Sequence, residues 1–242
     1  MAGDPDLATA EAIVAALGRA GADIVELGIP YGDPLADGPT IAAAAQRALA
    51  QGVTMRDVLS LAKRAHDAGA PPIVLFTYFN PVDRYGIDAF ARDAAQAGAA
   101  GVIVPDVPLE EIDMLWGALE KHDLAMPLLV APTTPRERAA RIAERATGFV
   151  YVVSRLGVTG AGESPDVEPL RAQLGMLRTV TDKPLAIGFG ISRPEHVRAV
   201  APLCDGIIVG SALIDAYAGT AGKDAAARVA RLAGELVAAA RH

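Results

Sequence analysis

Two carboxylates, Glu26 and Asp37, lie on one predicted connection between a strand and a helix, within the segment DIVELGIPYGDPLADGPT. Glu26 follows the apolar pair Ile24-Val25, at the point where a buried strand is predicted to end. The connection after it is stiffened by prolines, and Asp37 lies near its far end, just before the next predicted helix. Two carboxylates in different surroundings can have different pKa values, which acid–base chemistry requires.

Each of these acids also has a structural interpretation. Glu26 could end its strand and pair with a neighbouring base, but its neighbours are apolar and an unpaired buried carboxylate is costly. We therefore favour a functional role for Glu26. Asp37 could equally well stabilise the N-terminus of the helix that follows it. Asp106, between the two prolines of VPDVP, could simply fix a turn.

Two glycine-bearing segments near the C-terminus predict a phosphate site. GFG at 188–190 and GS at 210–211 each follow an apolar run of strand type, and the second begins a predicted helix. Backbone amides and a helix N-terminus bind phosphate without a lysine or arginine, and Ser211 adds a hydroxyl donor. The glycines could instead only turn the chain, but the two segments together favour phosphate. No Walker A or dinucleotide-binding pattern occurs, so no nucleotide is implied.

A glycine-bearing loop from Ser154 to Pro165 is a candidate lid. Its polar candidates are Arg155 and Thr159, although its composition fits a loose connection equally well. The histidines have no metal-ligand spacing, so no metal site is predicted, and Cys204 has no neighbouring base and is expected to pack.

Short apolar runs alternate with helical segments along the whole chain, and these elements must position the candidate residues. We count seven predicted strands, and the predicted helices include Ile87 to Ala97, which follows a strand ending at Tyr78, and Leu109 to His122. Strands that are apolar on both faces predict a parallel sheet covered by helices, with repeats the size of a βα module. With no linker in its 242 residues, the sequence predicts a single βα-barrel domain over 1–242. A doubly wound open sheet is the alternative, disfavoured because no GxGxxG follows the first strand.

Composition excludes several classes of protein. The net charge of −7 and the lack of a basic cluster argue against a nucleic-acid surface. No apolar run approaches the roughly 18 residues of a membrane span, and the start lacks the pattern of a signal peptide. A single cysteine allows no internal disulfide. We therefore predict a soluble cytoplasmic protein with no nucleic-acid or membrane partner.

Several segments, in chain order, closely resemble the tryptophan synthase α subunit family: ELGIPYGDPLADGPT, PDVPLEE, YVVSRLGVTGAGE, GFGIS and VGSALI. The resemblance covers nearly the whole chain. It implies an α/β fold of the TIM (βα)8 type that cleaves indole-3-glycerol phosphate to indole and glyceraldehyde 3-phosphate, a step of tryptophan biosynthesis. The family carries an N-terminal helix and a first strand before the GDP segment, so this barrel is expected to lack both, along with one aromatic residue of the indole pocket.

The resemblance also implies roles for individual residues. Glu26 matches the general acid–base, and Asp37 matches the carboxylate that holds the indole N–H. Thr159 matches the lid residue that engages Asp37. The phosphate pocket is matched by Gly160, Gly188, Gly190, Gly210 and Ser211, and the indole pocket by Tyr78, Ile103, Tyr151, Phe189 and Ile208.

Partners follow from the same resemblance. The chain itself would need no cofactor, because a β subunit carries pyridoxal phosphate and takes up the indole in an αββα heterotetramer. We expect the loop Ile29 to Asp37 and the PDVP turn to face that subunit. Two alternatives stay open: a shortened chain that only docks on and modulates the β partner, and a phosphosugar isomerase of similar barrel form. The isomerase would share the phosphate loops but gives no reason for the ADGPT segment.

Overall fold

Parallel strands and helices alternate along the chain in the computed structural model, which describes residues 1–154, 167–188 and 190–241. The strands are β1 (Val25–Gly28), β2 (Ile73–Phe76), β3 (Ala99–Ile103), β4 (Leu128–Val130), β5 (Val150–Val153), β6 (Leu185–Gly188) and β7 (Gly206–Ile207). The helices are α1 (Leu7–Ala20), α2 (Pro39–Ala50), α3 (Met55–Asp67), α4 (Phe79–Tyr85), α5 (Ile87–Gln96), α6 (Asp113–Glu120), α7 (Arg136–Arg145), α8 (Glu168–Arg178), α9 (Pro194–Val200), α10 (Ser211–Tyr217) and α11 (Gly222–Ala240). The alternation and the strand count predicted from the sequence hold for the described residues.

Two helices differ from the prediction. The sequence analysis placed no helix between Tyr78 and Ile87, but α4 occupies most of that segment. Pro81 is compatible with this helix because it lies in the first turn, where backbone N–H groups have no partner within the helix. The predicted start of α6 at Leu109 is also wrong: the chain forms turns there and the helix begins at Asp113.

One compact unit comprises residues 1–126 and 213–234. Its sheet has the strand order β1-β2-β3 with all strands parallel. Glu26 lies opposite Val74, and Phe76 lies opposite Ile103. Because side chains alternate between the faces of a strand, Glu26, Phe76 and Ile103 belong to the same face of this sheet. The helices cover the other face with a core of fully buried side chains that includes Leu61, Leu75, Phe90 and Leu115.

The second compact unit comprises residues 127–212 and 235–242, and its sheet has the order β4-β5-β6-β7, again parallel. Tyr151 lies opposite Ala186, and Val153 lies opposite Gly188. Lys183, just before β6, donates to the carbonyl oxygens of Ala143, Glu144 and Ala146 at 2.7, 2.8 and 2.6 Å. This cation satisfies the C-terminal carbonyls of α7 and ties that helix to the neighbouring strand. The single-domain organisation over 1–242 stays a prediction.

Among the described residues, none of the helices combines the length and apolarity that crossing a bilayer requires.

Candidate active site

Glu26 lies inside β1, which continues to Gly28, and not at the end of the strand as the sequence analysis placed it. Its neighbours Val25 and Leu27 are 4% and 3% exposed. Its Oε1 atom is buried and has no hydrogen-bond partner among the described residues. The structural interpretation, in which Glu26 pairs with a neighbouring base, therefore finds no support in the described part of the chain.

Burial raises the pKa of Glu26 to about 7, from an ordinary value of 4.5. The charged form loses hydration and gains no compensating hydrogen bond at Oε1, so the neutral form is favoured. Near neutral pH both protonation states are populated. A carboxyl in this condition can both deliver and accept a proton, which is what a general acid–base group must do.

Asp37 lies just before α2, but it does not cap that helix. The cap position is Gly38, and within the described residues no side-chain cap hydrogen bond forms at this end of α2. Asp37 instead lies close enough to the Tyr78 hydroxyl for the two groups to interact. Burial raises the pKa of Asp37, and the interaction with Tyr78 partly opposes that rise. The helix-capping interpretation of Asp37 is therefore wrong, and the carboxylate is held by a residue beyond the end of β2.

Two tyrosines, Tyr31 and Tyr78, connect the loop that carries Asp37 to the end of β2. The backbone N–H of Ala36 donates to the hydroxyl of Tyr78 at 3.1 Å. The ring of Tyr31 packs on the ring of Tyr78 with 5.3 Å between centroids, and Asn80 donates to the Tyr31 hydroxyl at 3.1 Å. The sequence analysis missed Tyr31, although an aromatic residue between two prolines beside a candidate acid was a usable signal.

Asp106 helps to hold this end of β2 in place. Its Oδ1 accepts a hydrogen bond of 2.9 Å from the N–H of Phe79, the first residue of α4. Ile103, at the end of β3, is fully buried, and its carbonyl accepts from the N–H of Thr77 at 3.0 Å. The structure therefore brings Glu26, Asp37, Tyr78 and Ile103 into one compact unit, with Tyr78 itself only 2% exposed.

In the second unit, Tyr151 packs directly over Gly188. A Cβ atom at position 188 would lie 2.4 Å from the Tyr151 hydroxyl oxygen, so only glycine fits beneath the ring. Ser154 donates both its N–H and its hydroxyl to the carbonyl of Gly188, each at 3.0 Å. The sequence analysis missed Ser154, whose hydroxyl gave no signal outside its tertiary setting.

The remaining candidates of this unit follow β6 and β7. Ile208 extends the pairing of the two strands, because its N–H donates to the carbonyl of Ile187 at 2.7 Å. Gly190 lies just beyond β6, Gly210 lies between β7 and α10, and Ser211 is the first residue of α10. Four predicted site residues lie outside the described residues: Arg155, Thr159, Gly160 and Phe189. In the described ranges, no group of three or more His, Cys, Asp or Glu residues is arranged to hold a metal ion.

Comparison with known proteins gives consistent matches over the whole chain. A family model described as tryptophan synthase alpha chain matches residues 1–241. A tryptophan synthase alpha chain of Picosynechococcus is 51% identical over 214 residues, which are 88% of this chain and 81% of the relative. The corresponding chain of Arabidopsis thaliana is 47% identical over 214 residues, 88% of this chain and 78% of the relative.

Comparison with solved structures gives the same family. A Mycobacterium tuberculosis tryptophan synthase structure superposes with a TM-score of 0.90 at 41% identity, and covers 100% of this chain and 90% of the matched chain. A tryptophan synthase alpha chain from Legionella pneumophila gives a TM-score of 0.88 at 34% identity, over 99% and 88% of the two chains. The fold class predicted from the sequence, an α/β barrel of the TIM type, is confirmed by these matches.

Proposed function

The chain belongs to the tryptophan synthase alpha chain family, and on that premise we propose that it cleaves indole-3-glycerol phosphate to indole and glyceraldehyde 3-phosphate. This α reaction of tryptophan biosynthesis is a retro-aldol step, which would make the chain a carbon–carbon lyase. One observation supports the proposal above the others: the Oε1 atom of Glu26 is buried with no partner among the described residues, and burial raises the pKa of this carboxyl to about 7.

In the proposed reaction Glu26 handles the protons. A proton is delivered to C3 of the indole ring, and the bond between C3 and the glycerol chain breaks as the adjacent hydroxyl loses its proton. The hydroxyl carbon becomes the aldehyde, and the carboxyl recovers the proton that it gave. One group with a pKa near neutrality can do both because neither protonation state is strongly favoured.

Asp37 would act on the ring nitrogen. Protonation at C3 places positive charge on that nitrogen, and a fixed carboxylate beside it stabilises the charge electrostatically. Two observations support this role: Asp37 takes no part in capping α2, and its interaction with Tyr78 partly offsets the rise in its pKa that burial causes.

We assign the other candidate residues to substrate binding. The phosphate would be bound by Gly160, Gly188, Gly190, Gly210 and Ser211, and the indole ring would contact Tyr78, Ile103, Tyr151, Phe189 and Ile208. Arg155 and Thr159 would belong to a lid. The phosphate assignment is supported by the position of Ser211, the first residue of α10, where backbone N–H groups have no partner within the helix.

The chain itself needs no cofactor in this reaction, because breaking the carbon–carbon bond requires only that one proton be delivered to C3 and one be removed from the hydroxyl. We propose a β subunit with pyridoxal phosphate as its partner in an αββα heterotetramer in the cytoplasm. The loop Ile29 to Asp37 and the PDVP turn at 105–108 are the proposed contact. Leu35 in that loop is 85% exposed and would lie within the proposed contact.

The experiment is to incubate the purified chain with indole-3-glycerol phosphate and to measure indole and glyceraldehyde 3-phosphate in equal amounts. A phosphosugar isomerase would release no indole. A chain that only docks would release none alone but would change the rate of the β reaction when mixed with a β subunit. Release of both products by the chain, slowed strongly but still measurable after replacement of Asp37 by Asn, is the expected result.

A further inference from the structure

The loop between β1 and α2 is held by hydrogen bonds to the end of β2 and to α2. The N–H of Ile29 donates to the carbonyl of Phe76 at 2.8 Å, and Gln46 of α2 donates to the carbonyl of Gly32 at 3.1 Å. The ring of Tyr31 also packs on the ring of Tyr78. Five of the ten residues from 29 to 38 are exposed, so the tyrosine pair is a main support of the loop near Asp37.

The Tyr78 hydroxyl contacts the segment that carries Asp37. Its oxygen accepts the N–H of Ala36, the residue before Asp37, at 3.1 Å. A phenol still has one O–H to donate, and the Asp37 carboxylate is close enough to interact with it. Tyr78 therefore orients both the backbone next to Asp37 and the carboxylate itself.

The ring of Tyr78 is in turn held by its neighbours. Tyr31 packs on it at 5.3 Å with the planes tilted by 35°, and Phe76 meets it edge-on at 6.5 Å. The hydroxyl of Tyr31 accepts from Asn80, the second residue of α4. Phe76 belongs to the sheet and not to the loop. Tyr31 is therefore the loop residue whose side chain packs on the Tyr78 ring.

From this arrangement we infer that Tyr31 is a positioning residue for the reaction: it holds the ring of Tyr78 so that the Tyr78 hydroxyl aligns the Asp37 carboxylate with the ring nitrogen of the substrate. The inference rests on the proposed function, in which Asp37 stabilises charge on that nitrogen. Tyr31 touches neither the substrate nor the reacting atoms in this account. Its effect is confined to the step that Asp37 assists, and so to kcat.

The test is a double-mutant cycle. Tyr31→Leu and Tyr31→Phe are each made with Asp37 intact and with Asp37→Asn, and kcat and KM for indole release are measured beside thermal melts. With Asp37 intact, Tyr31→Leu lowers kcat about tenfold and leaves KM within about twofold. The reason is that the interaction energy of an aromatic pair corresponds to a rate factor on the order of ten. Tyr31→Phe keeps the ring and restores kcat to within about threefold of the parent.

In the Asp37→Asn background, Tyr31→Leu should lower kcat less than about twofold, because the group it positions is already gone. Equal losses in the two backgrounds, or a Phe variant as impaired as the Leu variant, would overturn the inference while leaving the proposed function intact. An Asp37→Asn variant with the parent kcat would instead overturn the proposed role of Asp37, and the inference with it.

A second variant keeps the inference testable if Tyr31→Leu does not fold. Tyr78→Phe removes the hydroxyl and keeps the ring, so packing is preserved. Hydrogen bonds to charged groups are strong enough that kcat should fall about ten- to a hundredfold with Asp37 intact. In the Asp37→Asn background the same change should lower kcat less than about twofold. Losses of equal size in the two backgrounds contradict the inference.

Discussion

Replacing Glu26 by Gln should make the protein more stable at alkaline pH and leave its stability nearly unchanged at acidic pH. The side chains are nearly isosteric, but only the glutamate can ionise. Because burial raises the pKa of Glu26 from 4.5 to about 7, ionising it in the folded protein is unfavourable. Glutamine cannot ionise, so this unfavourable free energy of ionisation is absent in the variant.

The magnitude follows from the pKa change of about 2.5 units, which at 1.36 kcal/mol per unit is about 3 kcal/mol. Between about pH 4.5 and 7 the folded protein keeps a proton that the unfolded chain releases, so the free energy of unfolding of the parent falls as pH rises. Below that window both states are protonated and the difference disappears. Above it the glutamine variant should be more stable by about 3 kcal/mol.

Urea unfolding of the parent and of Glu26→Gln across this pH range gives the difference directly, because all other titrating groups are common to both proteins. Glu120→Gln is a matched control, since Glu120 is an exposed glutamate at the end of α6. Its difference from the parent should stay constant with pH. If the Glu26→Gln curve also runs parallel to that of the parent, Glu26 has an ordinary pKa and the reasoning fails.

Three further predictions concern phosphate binding, the partner and the core. Ser211→Asp should weaken glycerol phosphate binding at least tenfold by calorimetry, because like charges 4 Å apart repel by about 4 kcal/mol at an effective dielectric of 20; unchanged affinity would refute the phosphate assignment. Pro30→Asp or Pro108→Asp should reduce co-purification with a β subunit, and full retention by both would place the contact elsewhere. Thr77→Val should preserve or raise the free energy of unfolding, because the Thr77 hydroxyl is buried without a partner among the described residues. A loss above about 1 kcal/mol in denaturant titrations would show that this hydroxyl is hydrogen-bonded.

Local patterns in the sequence predicted most of the fold. Apolar runs predicted each strand, and glycines predicted where helices end: Gly21 closes α1 with φ of 95°, a conformation that glycine adopts freely. The prediction failed at α4, a short helix that contains Pro81 and that the sequence analysis did not include. A proline in the first turn is compatible with a helix, and here Asp106 supports the helix N-terminus from another loop.

Glu26 could be predicted as a site residue because a carboxylate among apolar neighbours is unusual in any fold. The surroundings of Glu26 could not be predicted from the sequence, because they depend on contacts between residues distant in the chain. Asp4 illustrates the difference: from the sequence, either Asp4 or Asp6 could cap α1, and the structure shows Asp6 as the cap. Asp4 is 1% exposed and instead accepts two hydrogen bonds from Arg47, at 2.7 and 2.8 Å, and one from Tyr217 at 2.7 Å.

The most direct test of the central claim is the rate of indole release by Glu26→Gln at saturating substrate, with substrate affinity measured on the same variant. If Glu26 is the general acid–base, the rate should fall by about 10²–10⁴ while the affinity stays close to that of the parent. The Glu120→Gln control should keep the parent rate. A Glu26→Gln variant that retains more than about a tenth of the parent rate would show that another group moves the protons.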